Sequence, residues 1–168
     1  MRRLQERGPV PTLRARRLAL AGAVAAAVTT ADQLTKAWAL RALDEGPIHL
    51  IWTLRLDLSF NSGAAFGLGR GLAPFLAAVG IILVLALLGF GRAALATLPG
   101  TVALGLVLGG ALGNLGDRLF GHHDGSVVDF IDLRWWPVFN LADAAISCGV
   151  VLLLVSSWRR PRQATQAP

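Results

Sequence analysis

Four apolar runs, each long enough to cross a bilayer, constrain this chain more than any other feature. The first starts at Leu18, reads LALAGAVAAAVTTA up to Asp32, and continues through AWAL to Arg41. The second runs from about Leu72 to Phe90 without a charge, the third from about Leu98 to Leu115, and the fourth from about Leu141 to Ser157. At a rise of about 1.5 Å per residue, about 20 helical residues cross the hydrocarbon core. Each run therefore predicts one transmembrane helix, with Asp32 and Lys36 near the far interface of the first. The chain is 54% hydrophobic and 15% charged, where soluble domains carry about a quarter charged residues. A single water-soluble core of 168 residues would leave large apolar patches exposed, which argues against a soluble enzyme. A cleavable signal peptide is the rival reading of the first run, because six Arg precede it. Against that reading, DQLTK is continuous with the same helix.

An even number of spans puts both termini on one side, and the charges select the side. With both tails and the loop at Arg92 in the cytoplasm, the inner side holds ten Arg and a single acid, Glu6. The outer side holds Lys36, Arg41, Arg55, Arg70, Arg118 and Arg134 against nine acids. The positive-inside rule then places the N and C termini in the cytoplasm. Fifteen of the sixteen cations are Arg, and they cluster beside the apolar runs. The net charge of +6 thus reads as a topology signal and not as a nucleic-acid surface. Trp52, Trp135, Trp136 and Trp158 fall outside the spans or at their ends, as interfacial aromatic belts do.

Between the first two runs, apolar and polar residues alternate from Ile51 to Phe60. This period of two predicts strands. Leu54, Leu56 and Leu58 share one face, which a small sheet on the membrane surface would bury in the bilayer interface. The expected fold is a membrane all-α protein with a small β part: four transmembrane helices, a basic cytoplasmic tail over 1–17, a membrane domain over 18–157 and a second tail over 158–168. Gly105, Gly109, Gly110, Gly113 and Gly116 in the third run permit close helix contact.

Several polar residues sit against or inside apolar sequence. Ionisable groups at membrane depth pair, line a cavity or do chemistry. Asp32 and Lys36, four apart on one helix, have the spacing of an ion pair. Asn114, Asp117 and Arg118 put polar groups at the outer end of the third helix, where they serve a site or simply the scaffold. Asp129 in VVDFID and Asp143 in FNLAD lie outside at the same interface, and a short antiparallel return would bring them together. Two carboxyls in one partly dry site do not both ionise, which yields one base and one acid able to activate water. On the residues alone, Asp143 is equally a helix N-cap, and Asp132 competes with Asp129. His49, His122 and His123 lie in loops without a convincing serine partner. The HHD run at 122–124 reads as a solvated loop, since three adjacent residues converge poorly on one ion. The single cysteine, Cys148, reads as a small packed apolar residue and leaves no disulfide framework or zinc motif. A small transporter or channel, and a non-catalytic assembly protein using the glycine-lined helix, are the competing classes.

Taken in order, DQLTK (32–36), FNSGAAFG (60–67), GGALGNLGDR (109–118), VVDFIDL (127–133) and FNLAD (139–143) resemble the five motif blocks of lipoprotein signal peptidase, or signal peptidase II. The resemblance implies a bacterial plasma-membrane aspartic protease that removes signal peptides from prolipoproteins, cutting before a diacylglyceryl-modified cysteine. By motif matching it makes Asp129 and Asp143 the catalytic dyad and leaves Asp132 non-catalytic. Asn61, Asn114, Arg118 and Asn140 would line the substrate pocket, while Asp32, Lys36 and Asp117 would support its shape. It implies no metal or cofactor. The expected partners are lipid-modified prolipoproteins and membrane lipids, with no nucleic acid, and the expected state is a monomer with its site facing the extracytoplasmic side. An extracytoplasmic β-cradle and helix would fall in 46–67 and part of 119–138. One departure stands out: LFGHHDGSV, residues 119–127, is a few residues longer than usual for the family.

Overall fold

A computed structural model describes residues 12–63 and 73–158. The outer parts of both tails, and the end of the 46–67 region, lie outside the described residues. In chain order the elements are α1 (Leu13–Ala42), β1 (Ile48–Ile51), β2 (Leu54–Asn61), α2 (Ala73–Phe90), a 3-10 turn (Gly91–Ala96), α3 (Leu98–Phe120), β3 (Val127–Asp132) and α4 (Leu141–Trp158). The four apolar runs are thus four helices, but two are longer than their hydropathy suggested. α1 begins at Leu13, where the Thr12 hydroxyl accepts the Ala15 N–H at 3.3 Å, so Arg14, Arg16 and Arg17 are helical. α3 continues past Leu115 to Phe120 and carries Asp117 and Arg118 in its last turns; it is capped at the start by Thr97 and closed by the Gly121 N–H on the Asp117 carbonyl. Both α1 and α3 are long and apolar enough to cross a membrane. α2 and α4, at 18 residues each, extend about 27 Å.

α3 is the centre of the bundle and packs on α1, α4 and α2. Its glycines make this approach possible. A Cβ on Gly109 would stand 2.7 Å from both the Ala25 carbonyl oxygen and Val28 Cβ, so the backbones of α1 and α3 meet with no side chain between them. The buried residues of α1, Ala21, Ala25, Asp32, Lys36 and Ala39, form one stripe at helical spacing. Asp32 and Lys36 consequently face the bundle.

The three strands form an antiparallel sheet in the order β1, β2, β3. A bulge sets the β2–β3 register: Leu56 opposes Ile131 and Ser59 opposes Asp129, leaving Asp57 and Leu58 against Phe130 alone. Leu56 and Leu58 pack with Phe130 and Ile131 on Ala39 and Leu43. Leu56 and Leu58, expected with Leu54 to enter the bilayer interface, instead pack on the outer end of α1. Between α3 and α4 the described chain is turn and strand, with no helix in 121–140. The extracytoplasmic helix expected in part of that loop is not found there. His123 is half-buried, its ring 4.7 Å from that of Phe60, so the HHD turn is partly anchored on β2 and not simply solvated. Cys148 lies in α4 as expected, but it is exposed and borders an apolar cavity of about 400 Å³ between α1, α3 and α4 instead of packing in the interior.

Candidate active site

β3 delivers Asp129 and α4 delivers Asp143, and the chain between them returns tightly. Phe139 bonds back to β3, its N–H to the Ile131 carbonyl at 3.1 Å and its carbonyl to the Ile131 N–H at 2.8 Å. That return puts Asn140 beside Asp129, immediately before the first residue of α4. Asn140 has no exposed surface. Its side-chain oxygen accepts the Asp143 N–H at 2.9 Å, and Asp143 Oδ2 accepts the Asn140 N–H at 3.2 Å. The pair forms a reciprocal capping box, with Asn140 as the N-cap and Asp143 as the third helical residue. The alternative that Asp143 is itself the N-cap is therefore corrected. The remaining Asn140 group, Nδ2, donates to Asp129 Oδ1 at 2.7 Å.

Asp129 is 1% exposed, and its second oxygen accepts from Asn61 Nδ2 at 2.9 Å. Asn61 opposes Val127 across the β2–β3 ladder, which makes Asp129 its diagonal neighbour on the same face. Burial, opposed by the Asn61 and Asn140 amides and reinforced by the nearby negative charge of Asp143, pushes the Asp129 carboxyl up to about 6. Asp132, the competing acid, is engaged elsewhere. Its Oδ1 accepts the Arg134 N–H and its Oδ2 accepts from Arg55 Nε, both at 2.6 Å. The Arg134 amide and the Arg55 guanidinium hold its carboxyl below the usual range.

Asn114 completes the ring around Asp143, donating Nδ2 to Asp143 Oδ1 at 2.8 Å. Its oxygen accepts from both Lys36 Nζ and Asn140 Nδ2 at 3.1 Å. Lys36 also pairs with Asp32 Oδ2 and Asp117 Oδ2, each at 2.8 Å. These acids tie the site to the scaffold: Asp32 Oδ1 accepts the Ala142 N–H at 2.9 Å, and Asp117 Oδ2 accepts the Val128 N–H at 3.1 Å. Removing one member of a buried ionic cluster strands the rest, so it fixes geometry more than it adds stability. Gln33 belongs to this cluster and was not singled out by the sequence; it donates to Asp117 Oδ1 at 2.9 Å and to the Gly113 carbonyl at 3.1 Å. Its place inside DQLTK was the available signal.

Arg118 is half-buried and points one nitrogen, Nη1, inward with no partner among the described residues. With Asn114 it supplies the polar wall of a cavity of about 180 Å³, otherwise lined by Val79, Gly80, Ala111, Leu115 and Ile146. An apolar slot between α2, α3 and α4 thus opens beside donors that adjoin two carboxyls. Such a slot can take an apolar chain beside the polar cluster.

A family model described as Signal peptidase (SPase) II matches residues 24–159, which contain every candidate site residue. The chain belongs to the signal peptidase II family. Family membership makes it a protease. The lipoprotein signal peptidase of Rhodococcus jostii strain RHA1 is 43% identical over 152 residues, 88% of this chain and 76% of that protein. That of Syntrophomonas wolfei is 42% identical over 136 residues, covering 76% and 85% respectively. In structure the peptidase is similar to a bacterial membrane enzyme solved in meso at 2.3 Å resolution, with a TM-score of 0.75 and 30% identity over 88% of this chain and 93% of the other. The match fits a membrane protein of four helices around a polar cluster.

Proposed function

We propose that this chain is an aspartic endopeptidase that removes the signal peptide from diacylglyceryl-modified prolipoproteins, cutting before the lipid-bearing cysteine. The observation that carries the reading is the shared support of Asp129 and Asp143 by the buried Asn140. One carboxylate, ionised, takes a proton from water as its oxygen attacks the scissile carbonyl carbon. The other, protonated, donates to the forming oxyanion. When the C–N bond breaks, a proton passes to the leaving amine, and the dyad regains its single shared proton. The chemistry needs only the two carboxyls and water.

Asn61 and Asn140 act as supports of Asp129, and Asn114 as a support of Asp143. Arg118, with an inward donor that has no partner among the described residues, holds substrate backbone or the lipid-bearing region. The slot beside it takes the apolar part of a substrate that never leaves the bilayer. The reading places four spans in the bacterial plasma membrane, both termini in the cytoplasm, and the site at the extracytoplasmic interface within one peptidase domain over 18–157, working as a monomer with membrane lipids around it. The arginine asymmetry supports that orientation.

The test is cleavage of a purified diacylglyceryl-modified prolipoprotein in detergent by wild type, Asp129→Asn and Asp143→Asn, with unlipidated substrate as control. Cleavage by wild type alone, and of lipidated substrate alone, is the expected result. Near-normal turnover by either variant would end the dyad assignment.

A further inference from the structure

Lys36 is almost fully buried, and an ammonium has three donors and no acceptor. All three are engaged: on Asp32 Oδ2, on Asp117 Oδ2 and on Asn114 Oδ1. Because Lys36 can only donate, the oxygen of Asn114 must face it. The NH2 of Asn114 is thereby turned to the opposite side, where it meets Asp143 Oδ1 at 2.8 Å. The other Asp143 oxygen receives the Asn140 backbone N–H at 3.2 Å. As the third residue of α4, Asp143 also lies at the positive end of the helix dipole. Asp129 has two side-chain amides but sits on a strand, meeting the start of α4 only through the Asn140 side chain, and has almost no exposure. Among the described residues, the charged groups around the pair are Lys36 and Asp32 from α1 and Asp117 and Arg118 from α3, besides the two acids themselves.

We infer that Lys36 is a positioning residue for the reaction: acting through Asn114, it makes Asp143 the carboxylate that takes the proton from water and leaves Asp129 as the acid that donates to the substrate carbonyl oxygen. The inference rests on the aspartic-peptidase reading above. The upward displacement of the Asp129 carboxyl to about 6 runs in the same direction. Lys36 touches no reacting atom, and its effect is to fix which way a neutral amide points.

Removing Lys36 alone strands Asp32 and Asp117, so the test uses Lys36→Met combined with Asp32→Asn, which keeps the net charge of the cluster. Relative to Asp32→Asn alone, and at a temperature where both are folded, the double variant should lose about 10- to 100-fold in kcat, the scale of one hydrogen bond to a charged group, with KM within about twofold. Unchanged kcat, or a loss confined to KM, overturns the inference. Should the double variant not fold, Asn114→Asp replaces it: Lys36 then meets a carboxylate of the same volume while the donor to Asp143 is gone. Retained kcat in that variant overturns the inference equally. Infrared spectra below pH about 6 give a reading independent of turnover. The protonated-carboxyl band that titrates near pH 6 should be lost in Asp129→Asn and retained in Asp143→Asn; the reverse pattern assigns the proton to Asp143 and overturns the inference. Failure of the underlying reading looks different, because both Asp129→Asn and Asp143→Asn would then still cleave.

Discussion

Asn140 and Asp143 hold each other reciprocally, each side chain accepting the backbone N–H of the other, at 2.9 and 3.2 Å. This is a helix start put to a second use. A capping box uses only the backbone N–H and the side-chain oxygen of Asn140, and Nδ2 is left to reach Asp129 at 2.7 Å. The spacing between the two acids is thus set by the geometry of a helix N-terminus.

Asn140→Ala should therefore affect stability and rate together. Loss of the cap costs about 1 kcal/mol, read as a lower thermal midpoint. Loss of the bridge should lower kcat about 100-fold while KM changes little, because a side chain with no exposed surface is not a substrate contact in this state. A rise in KM at constant kcat would show that Asn140 binds substrate after all.

The pH dependence follows from the buried acid. Asp129 moves from an ordinary 3.8 to about 6, so the native state holds this proton more tightly than the unfolded chain. Its contribution to stability is fully present below about 3.8 and is lost as pH rises through about 6. The difference in thermal midpoint between wild type and Asp129→Asn should change across that window and be flat above it. If Asp129 is the acid of the reaction, kcat/KM should also fall as pH rises through about 6. A profile flat from pH about 5 to 8 would remove it from that role.

Asp129 and Asp132 lie on one strand but have different partners. Asp132→Asn weakens the link to Arg55 and to the Arg134 amide, so it should lower the thermal midpoint at neutral pH while kcat stays within about threefold. Because its carboxyl is held below the usual range, the stability it gives is present above the ordinary 3.8 and lost as pH falls below it. Abolished turnover in a folded Asp132→Asn protein would reopen the choice between the two acids.

Much of this was legible in the residues. Long apolar runs have one solution in a bilayer, so the four helices followed from hydropathy, and the alternation over Ile51 to Phe60 marked β2. The ends were harder to read. Arg14, Arg16 and Arg17 break the apolar pattern without breaking the helix, since the Thr12 cap decides where α1 starts. The destination of the leucine face was not legible either, because alternation shows that a face is buried but not what covers it. Here the cover is Ala39 and Leu43 of α1. Of the site, single positions were visible and their connections were not: the role of Gln33 depends on α1 and α3 meeting at one depth, which no local pattern encodes.

The glycines of α3 offer a contrast that tests this meeting directly. A Cβ on Gly113 would lie 2.5 Å from Asp32 Oδ2, an atom already bonded to Lys36 on the route to Asn114 and Asp143. A Cβ on Gly116 would meet only Gln33 Nε2, at 3.8 Å, which is ordinary contact. Both sites are helical, where replacing glycine by alanine otherwise stabilises by about 0.5–1 kcal/mol. Gly116→Ala should therefore leave the thermal midpoint unchanged or raise it, with normal cleavage. Gly113→Ala must push Asp32 away from Lys36 or α1 away from α3, and either loosens the cluster that orients Asn114. It should lower the thermal midpoint and reduce kcat by about tenfold or more. Equal behaviour of the two alanine variants in melting and cleavage would mean that the contact between Asp32 and α3 does not govern the site.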